Sequence, residues 1–141
     1  MGCMTGESSC IFCQIVQGSI PAHILYSDDH YLALLDIHPL SPGHTLVIPK
    51  NHSSDLLDAL PKDRMGLLEV VAKIAPAILK GVGAPAFNVG INNGRESGQV
   101  VFHTHVHIIP RKKGDGLSDW EGKGSLPEEL SHTAEGIRSH L

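Results

Sequence analysis

The chain has 141 residues, enough for one domain with a hydrophobic core, and its 41% hydrophobic and 18% charged residues are typical of a globular protein. A net charge of −4 and the lack of a basic block argue against a protein that binds the backbone of a nucleic acid, but not against one that binds a small nucleotide. The sequence has neither an apolar run long enough to span a membrane nor the basic and apolar regions of a secretory signal, so we expect a cytoplasmic protein.

The first half of the chain predicts a short helix followed by strands. Residues 1–9 are expected to form a flexible tail, in which Cys3 is an unpaired thiol with no assigned role. Residues 10–141 are expected to form a single domain, because no linker or repeat divides them. Residues 10–17 favour a helical turn that Gly18 and Pro21 end. The strands predicted next lie at residues 23–26, 31–36 and 44–49.

The middle of the chain, residues 61–80, predicts a long helix, because apolar residues recur there at helical spacing. These residues are Leu67, Leu68, Val71, Ala75, Ile78 and Leu79. Pro76 should kink this helix or break its hydrogen bonding, and Gly81 and Gly83 should end it. Two strands at 86–92 and 100–109 and a weak helix at 127–140 complete the chain. Since the strands mostly follow one another without crossover helices, the order favours an α+β domain with a largely antiparallel sheet.

Three histidines alternate with other residues in the last predicted strand: His103, His105 and His107. Side chains at every second position of a strand point to the same face, so the three imidazoles would share one face, and Pro110 would end the strand beyond them. Such a face suggests either a metal site or phosphate chemistry. An unprotonated imidazole can attack phosphorus and form a phosphoramidate that water hydrolyses, while a protonated neighbour stabilises the phosphate oxygens.

A second pattern, Cys10-x-x-Cys13, has the spacing of a pair of zinc ligands. In a reducing compartment such a pair is expected to bind metal or do redox work rather than form a structural disulfide. His52 and one member of the histidine strand could complete a tetrahedral site. Alternatively, the three histidines could hold a catalytic zinc with an open water position. A redox role ranks last, because no thioredoxin-like strand and helix follow the cysteines.

These residues resemble the motif of the histidine triad family, His-x-His-x-His followed by two apolar residues, here Ile108 and Ile109. Further segments are similar to the bacterial branch of this family: residues 10–21, 35–52, Asn92-Asn93-Gly94, Gly98-Gln99 and Pro110-Arg111. The resemblance covers about residues 10–116. It implies an α+β histidine-triad fold and a homodimer formed by the long helix and the strand at residues 88–92.

The same resemblance implies roles for individual residues. It implies that His105 is the nucleophile, that His107 contacts the phosphate, and that His44 supports the site from further away. Asp36 would accept hydrogen bonds from the ribose hydroxyls. The other nucleotide-binding positions that it implies are Leu35, Ile37, Asn92 and Gln99. In zinc-containing relatives the metal is held at the positions of Cys10, Cys13, His52 and His103, so the implied cofactor is a structural zinc.

The implied activity is that of a nucleoside-phosphate hydrolase or nucleotidyl transferase acting at the α-phosphate of purine nucleotides. Substrates would be nucleoside phosphoramidates, acyl-adenylates or dinucleoside polyphosphates, and a covalent nucleotidyl-His105 intermediate would form. The alternative is a nucleotide sensor or interaction module with little turnover. The sequence does not separate this alternative from an enzyme, because the same pocket would serve both. Val100 stands where several family members carry Ser or Thr, so the hydroxyl contact near the leaving group is not carried over. The sequence leaves open the leaving group, the purine preference and the role of the tail with Trp120.

Overall fold

The computed structural model of the protein describes residues 9–141, so Cys3 lies outside the described part of the chain. The strands are β1 (Ile24–Ser27), β2 (Tyr31–Leu35), β3 (Thr45–Pro49), β4 (Ala86–Gly90) and β5 (Val106–Arg111). The helices are α1 (Ile11–Val16), α2 (Pro61–Met65), α3 (Leu67–Val82) and α4 (Pro127–Arg138). All strand pairs are antiparallel, in the order β1-β2-β3-β5-β4, and α3 is the long helix, so the expected α+β fold is confirmed. Among the described residues, no helix is both long and apolar enough to cross a membrane.

The two faces of the sheet have different partners, because successive strand residues point to opposite sides. One face packs against α3, where Ala33, Val47, Val106 and Ile108 share a core with Leu67, Val70, Val71, Ile74 and Ile78. The other face packs against α1, where Leu32, Leu34, Leu46 and Ile48 surround Phe12. We call the second one the α1 face. His107 belongs to it, because His107 pairs with Leu46 and cross-strand partners point the same way.

The helix expected over residues 61–80 is interrupted at Gly66, between α2 and α3. A Cβ at Gly66 would collide with the Tyr31 ring, which occupies the space beside this residue. The Tyr31 hydroxyl donates to the carbonyls of Lys62 and Asp63, at 3.1 and 2.8 Å. The interruption therefore depends on a tyrosine from β2, which local spacing does not reveal.

Pro76, expected to kink the long helix or break its hydrogen bonding, lies inside α3, and the helix continues through it. The proline is exposed, so the carbonyl that loses its partner in the preceding turn can bond to water. The helix runs on through Gly81 and ends where Gly83 adopts a left-handed conformation, with φ of 68°. Of the two glycines expected to end the helix, Gly83 does so.

The last strand begins later than predicted, so His103 and His105 precede β5 and only His107 lies within it. The reason is the neighbouring Thr104, which is bonded to the loop after β3 instead of to a sheet partner. The Thr104 backbone N–H donates to the Ser53 carbonyl at 2.8 Å, and the two hydroxyls are 2.7 Å apart. The prediction of one strand face carrying all three histidines is therefore wrong for two of them.

Pro110 lies inside β5 instead of ending it. Strand β3 pairs with β5 only as far as Ile108, so the ladder between these strands needs no N–H donor at Pro110. On the other side, Pro110 is the register partner of Phe87 in β4. The Pro110 carbonyl accepts a hydrogen bond from the Ser41 hydroxyl at 2.7 Å, which attaches the loop before β3 to this strand.

Candidate functional site

Histidines from separate parts of the chain meet on the α1 face. The ring centroids of His105 and His107 are 4.9 Å apart, and those of His44 and His107 are 5.1 Å apart. Phe12 of α1 packs edge-on against His103 and His105, with centroid distances of 5.8 and 5.2 Å. The three triad rings thus stay close together, although only one of them belongs to a strand.

Burial lowers the pKa of each imidazole in this group, because a charged ring is poorly solvated there. The pKa values of His103 and His107 fall to about 4, and those of His44 and His105 are also lowered. The Asp36 carboxylate acts in the opposite direction on His44, His105 and His107, but it does not outweigh burial. The rings are therefore neutral near pH 7, and each offers one N–H donor and one lone pair.

The tautomer of His105 follows from its backbone partner. The His105 Nδ1 atom is 2.6 Å from the His103 carbonyl oxygen, which can only accept a hydrogen bond. Nδ1 must therefore carry the proton, and the lone pair of the neutral ring must be on Nε2. His105 thus has an unprotonated nitrogen, as a nucleophilic imidazole requires.

A chain of hydrogen bonds fixes His44 and His107 in the same way. The Leu40 backbone N–H donates to His44 Nδ1 at 3.0 Å, so the proton of neutral His44 is on Nε2. His44 Nε2 lies 2.8 Å from His107 Nδ1 and donates to it. The proton of neutral His107 is then on Nε2. The two rings beside each other in the triad therefore differ: His105 offers a lone pair at Nε2, and His107 offers an N–H.

The carboxylate expected to hold a ribose lies at the edge of this group. Asp36 directly follows β2, and its Oδ2 is 3.7 Å from His44 Nε2. Its other oxygen accepts the His38 backbone N–H at 2.8 Å, which fixes the orientation of the carboxylate. Ile37, expected near the base, is 74% exposed and so can contact a ligand, whereas Leu35 is the half-buried last residue of β2.

The two amides expected to contact phosphate are placed differently. Asn92 is half-buried, and its Nδ2 atom lies 3.5 Å from the position of a Cβ at Gly98. Gln99 is only 4% exposed, and both of its polar atoms are bonded to backbone. It accepts the Gly94 N–H and donates to the carbonyls of Ser54 and Val101. A phosphate contact by Gln99 would therefore have to replace one of these bonds.

The four residues expected to hold zinc come together on the other side of His103. The ligand atoms of Cys10, Cys13, His52 and His103 all lie within 4.8 Å of one another. Sulfur-to-Nδ1 distances are 3.5 Å for Cys10 to His103, 3.3 Å for Cys13 to His52 and 3.6 Å for Cys13 to His103. Sulfur and nitrogen ligands on one tetrahedral zinc are about 3.6 Å apart, from the usual bond lengths. The donor atoms thus fit a zinc ion in both type and spacing.

His103 is oriented for this task by a second backbone carbonyl. Its Nε2 atom is 2.7 Å from the Pro49 carbonyl oxygen, so Nε2 carries the proton and the Nδ1 lone pair faces the sulfurs. Cys13 is disulfide-bonded in this structure, so the full ligand set is available only in the reduced chain. Cys10 begins α1, where its sulfur accepts the Cys13 N–H at 3.4 Å. The site would therefore join the first helix to the segment before β5.

The alternative of a catalytic zinc held by the whole triad has no support in the geometry. In the part of the chain that the structure describes, two groups of side chains could hold a metal, and neither contains all three triad histidines. The second group is Asp36, His44 and His107, whose imidazole nitrogens already bond to each other. Val100, at the position of the missing hydroxyl, is 85% exposed and borders the Cys10 and His52 side of the site.

Some groups that shape the site had no predicted role. Phe12 was part of the cysteine segment, and its aromatic type was the available signal. The N–H of Leu40 and the carbonyls of Pro49 and His103 orient the imidazoles, but every residue except proline supplies both backbone groups, so the sequence carries no signal for them.

Known proteins resemble this chain in both sequence and fold. The HIT domain pattern matches residues 17–114. Adenylylsulfatase HINT3 of Arabidopsis thaliana is 41% identical over 143 residues, covering 97% of this chain and 72% of the relative. A histidine triad nucleotide-binding protein from Candida albicans superposes with a TM-score of 0.82 at 34% identity, covering 94% of this chain and 96% of the other. A Zn-bound histidine triad family protein from Mycobacterium smegmatis superposes with a TM-score of 0.76 at 40% identity, covering 96% and 100%.

Proposed function

The chain belongs to the HIT domain family, a family of nucleotide-binding hydrolases and transferases, and from this premise we propose that it cleaves purine nucleotides at the α-phosphate. The substrates would be nucleoside phosphoramidates, acyl-adenylates or dinucleoside polyphosphates. His105 Nε2 forms a bond to phosphorus while the bond to the leaving group breaks and its electron pair departs with that group. Water then attacks phosphorus and gives up a proton, which balances the proton that the leaving group takes up, the P–N bond breaks, and His105 is restored.

The observation that carries this proposal is the pair of fixed tautomers at His105 and His107. The carbonyl of His103 leaves the His105 Nε2 lone pair for attack, and the chain from Leu40 through His44 gives His107 an Nε2 proton. That N–H can donate to a non-bridging phosphate oxygen as negative charge develops there. Asp36 would accept hydrogen bonds from the ribose hydroxyls and so place the phosphorus between the rings of His105 and His107.

The test is to quench the reaction of an adenylate carrying a labelled phosphate and to find the label by mass spectrometry. We expect label on His105 in the wild type and none in His105→Asn, which should still bind AMP but lose several orders of magnitude in turnover. His132→Asn, on the exposed helix α4, is the matched control and should behave as the wild type. Label on another histidine would contradict the mechanism. Nucleotide binding without turnover would instead favour the sensor.

We also propose that Cys10, Cys13, His52 and His103 hold one structural zinc, supported by their ligand spacing and by the zinc in the related protein from M. smegmatis. When bound, the metal would stabilise the junction of α1 with the segment before β5. Metal analysis of reduced protein should find about one zinc per chain. The double variant Cys10→Ser, Cys13→Ser should lose it, and full retention of zinc in that variant would contradict the assignment. The reduced cysteines that this zinc site requires would fit the expected cytoplasmic location.

A homodimer is the third part of the proposal. Strand β4 lies at the edge of the sheet, and both β4 and α3 expose apolar side chains, among them Phe87 and Leu68. Pairing β4 with its copy would cover this edge, and an isologous dimer is the commonest arrangement of oligomers. Sedimentation at micromolar concentration should show a species of twice 15.1 kDa. A monomer alone would rule the dimer out.

A further inference from the structure

The peptide unit that joins His103 to Thr104 has a hydrogen-bond partner on each side. Its carbonyl oxygen accepts from His105 Nδ1 at 2.6 Å, and its N–H donates to the Ser53 carbonyl at 2.8 Å. The C=O and N–H of one trans peptide unit lie in one plane and point in opposite directions, and no cis peptide bond occurs among the described residues. The bond to Ser53 therefore directs the carbonyl toward the ring of His105.

The side chains of Ser53 and Thr104 reinforce this contact. Their hydroxyl oxygens are 2.7 Å apart, and the Thr104 hydroxyl also donates to the Ser53 carbonyl at 3.4 Å. Ser53 is 5% exposed and Thr104 is 1% exposed, so water has little access to these groups. A hydrogen bond in such surroundings is electrostatically stronger than one in water, and a hydroxyl that loses its partner there is costly. We call these two residues the hydroxyl pair.

The hydroxyl pair acts on a peptide unit that lies outside the sheet. Strand β5 begins at Val106, and its pairing with β3 reaches only the partners Val47 and Val106. Contacts with the end of β3 and the loop after it take the place of strand pairing. The Pro49 carbonyl holds the His103 ring at 2.7 Å, and Ser53 holds the peptide unit that follows this ring.

The orientation of this peptide unit decides which nitrogen of His105 has a lone pair. While the carbonyl faces Nδ1, the proton stays there and the Nε2 lone pair is available for attack. If the unit turned away, part of the population would carry the proton on Nε2. Hydrogen bonds in a chain also polarise one another, so the bond from Thr104 N–H to Ser53 strengthens the carbonyl as the acceptor of the His105 proton.

We propose that Ser53 and Thr104 are positioning residues for the nucleophile: the hydroxyl pair holds the peptide unit between His103 and Thr104 so that the proton of His105 stays on Nδ1. This inference rests on the proposed function and deepens it. Both residues are buried and do not contact a ligand. Their effect should therefore fall on kcat, while the affinity for the nucleotide is kept.

The first experiment measures steady-state turnover of an adenosine phosphoramidate and the dissociation constant of AMP. Thr104→Val removes the hydroxyl from a side chain of similar shape, and we expect kcat to fall about tenfold, the size of about one neutral hydrogen bond, with AMP binding nearly unchanged. Thr104→Ser keeps a hydroxyl and should recover most of kcat. Ser53→Ala should lower kcat as Thr104→Val does. The double variant should lose little more than either single variant, because all three lack the same bond.

Thr45→Val is the matched control for the loss of a buried hydroxyl. Thr45 is 0% exposed, and its hydroxyl donates to the Gly43 carbonyl at 2.8 Å. It is the register partner of Ile108, so it lies on the face of the sheet that packs against α3, opposite the imidazoles. Thr45→Val should lose stability in urea unfolding as Thr104→Val does, but it should keep kcat.

The tautomer of His105 gives a second readout, which a loss of stability alone would not change. Nitrogen NMR distinguishes a ring nitrogen with a proton from one with a lone pair, and the His105 signals are assigned by their absence in His105→Asn. In reduced wild-type protein at alkaline pH we expect the proton on Nδ1, and in Thr104→Val and Ser53→Ala we expect part of the population to carry it on Nε2.

A wild-type tautomer or a wild-type kcat in both variants would overturn this inference and leave the proposed function, with its label on His105, intact. A loss of kcat that Thr104→Ser does not recover would overturn it as well. Failure of the wild type to turn over any adenosine phosphoramidate, acyl-adenylate or dinucleoside polyphosphate would overturn the proposed function, and this inference with it.

Discussion

Three imidazoles of the site receive their proton positions directly from backbone groups, and His107 receives its proton position through His44. The carbonyls of His103 and Pro49 accept from His105 and His103, and the Leu40 N–H donates to His44. One neutral ring therefore offers a lone pair where attack is needed, and another offers a donor where negative charge would develop. Residue type alone supplies the imidazoles, while the fold determines which nitrogen of each is unprotonated.

Substitutions at His107 and His44 should consequently cost different amounts. His107→Asn removes the donor nearest the phosphate, and we expect turnover to fall about 10²–10³-fold. His44→Asn acts only through His107, so we expect a loss on the order of tenfold, about one neutral hydrogen bond. Steady-state turnover of an adenosine phosphoramidate measures both. Equal losses in the two variants would show that His44 does more than orient its neighbour.

At the scale of elements, the sequence predicts best where the determinants are local. The strands predicted at residues 31–36 and 44–49 match β2 and β3 within one residue, and the spacing of Cys10 and Cys13 correctly indicated neighbouring sulfurs. The interruption at Gly66 and the late start of β5 depend on Tyr31 and Ser53, which are distant in sequence from what they affect. The triad residues were found from their spacing, but two of them reach the site from irregular backbone.

Two glycines near and within the long helix should respond in opposite ways to the same substitution. Gly66→Ala places a methyl group against the Tyr31 ring, and we expect a loss of about 1–3 kcal/mol in the free energy of unfolding. Gly81→Ala has open space and lies in the last turns of α3, so we expect a gain of up to about 1 kcal/mol. Urea unfolding of both variants measures this difference. A Gly66→Ala protein as stable as the wild type would show that Tyr31 can move aside.

For the whole molecule, the buried histidines make stability depend on pH. The pKa of His107 is about 4 in the folded chain and close to 6.5 when unfolded, and those of His44 and His105 are also lowered. Between these values the unfolded chain binds more protons than the folded one, so the free energy of unfolding decreases as pH falls from about 6.5 to 4. Below pH 4 the contribution of His107 should level off. Unfolding midpoints across this range measure the effect, and His107→Gln should weaken the dependence.

His103 belongs to both halves of the site, since its ring faces the sulfurs and its carbonyl holds the proton of His105. If zinc binds at this site, the metal and the nucleophile share one residue, His103, so we expect zinc binding and nucleotide binding to be coupled. Such coupling is reciprocal: a metal that favours the correct His105 tautomer must itself bind more tightly when a nucleotide is present, by the same factor. A chelator should then remove zinc less readily from the nucleotide-bound protein.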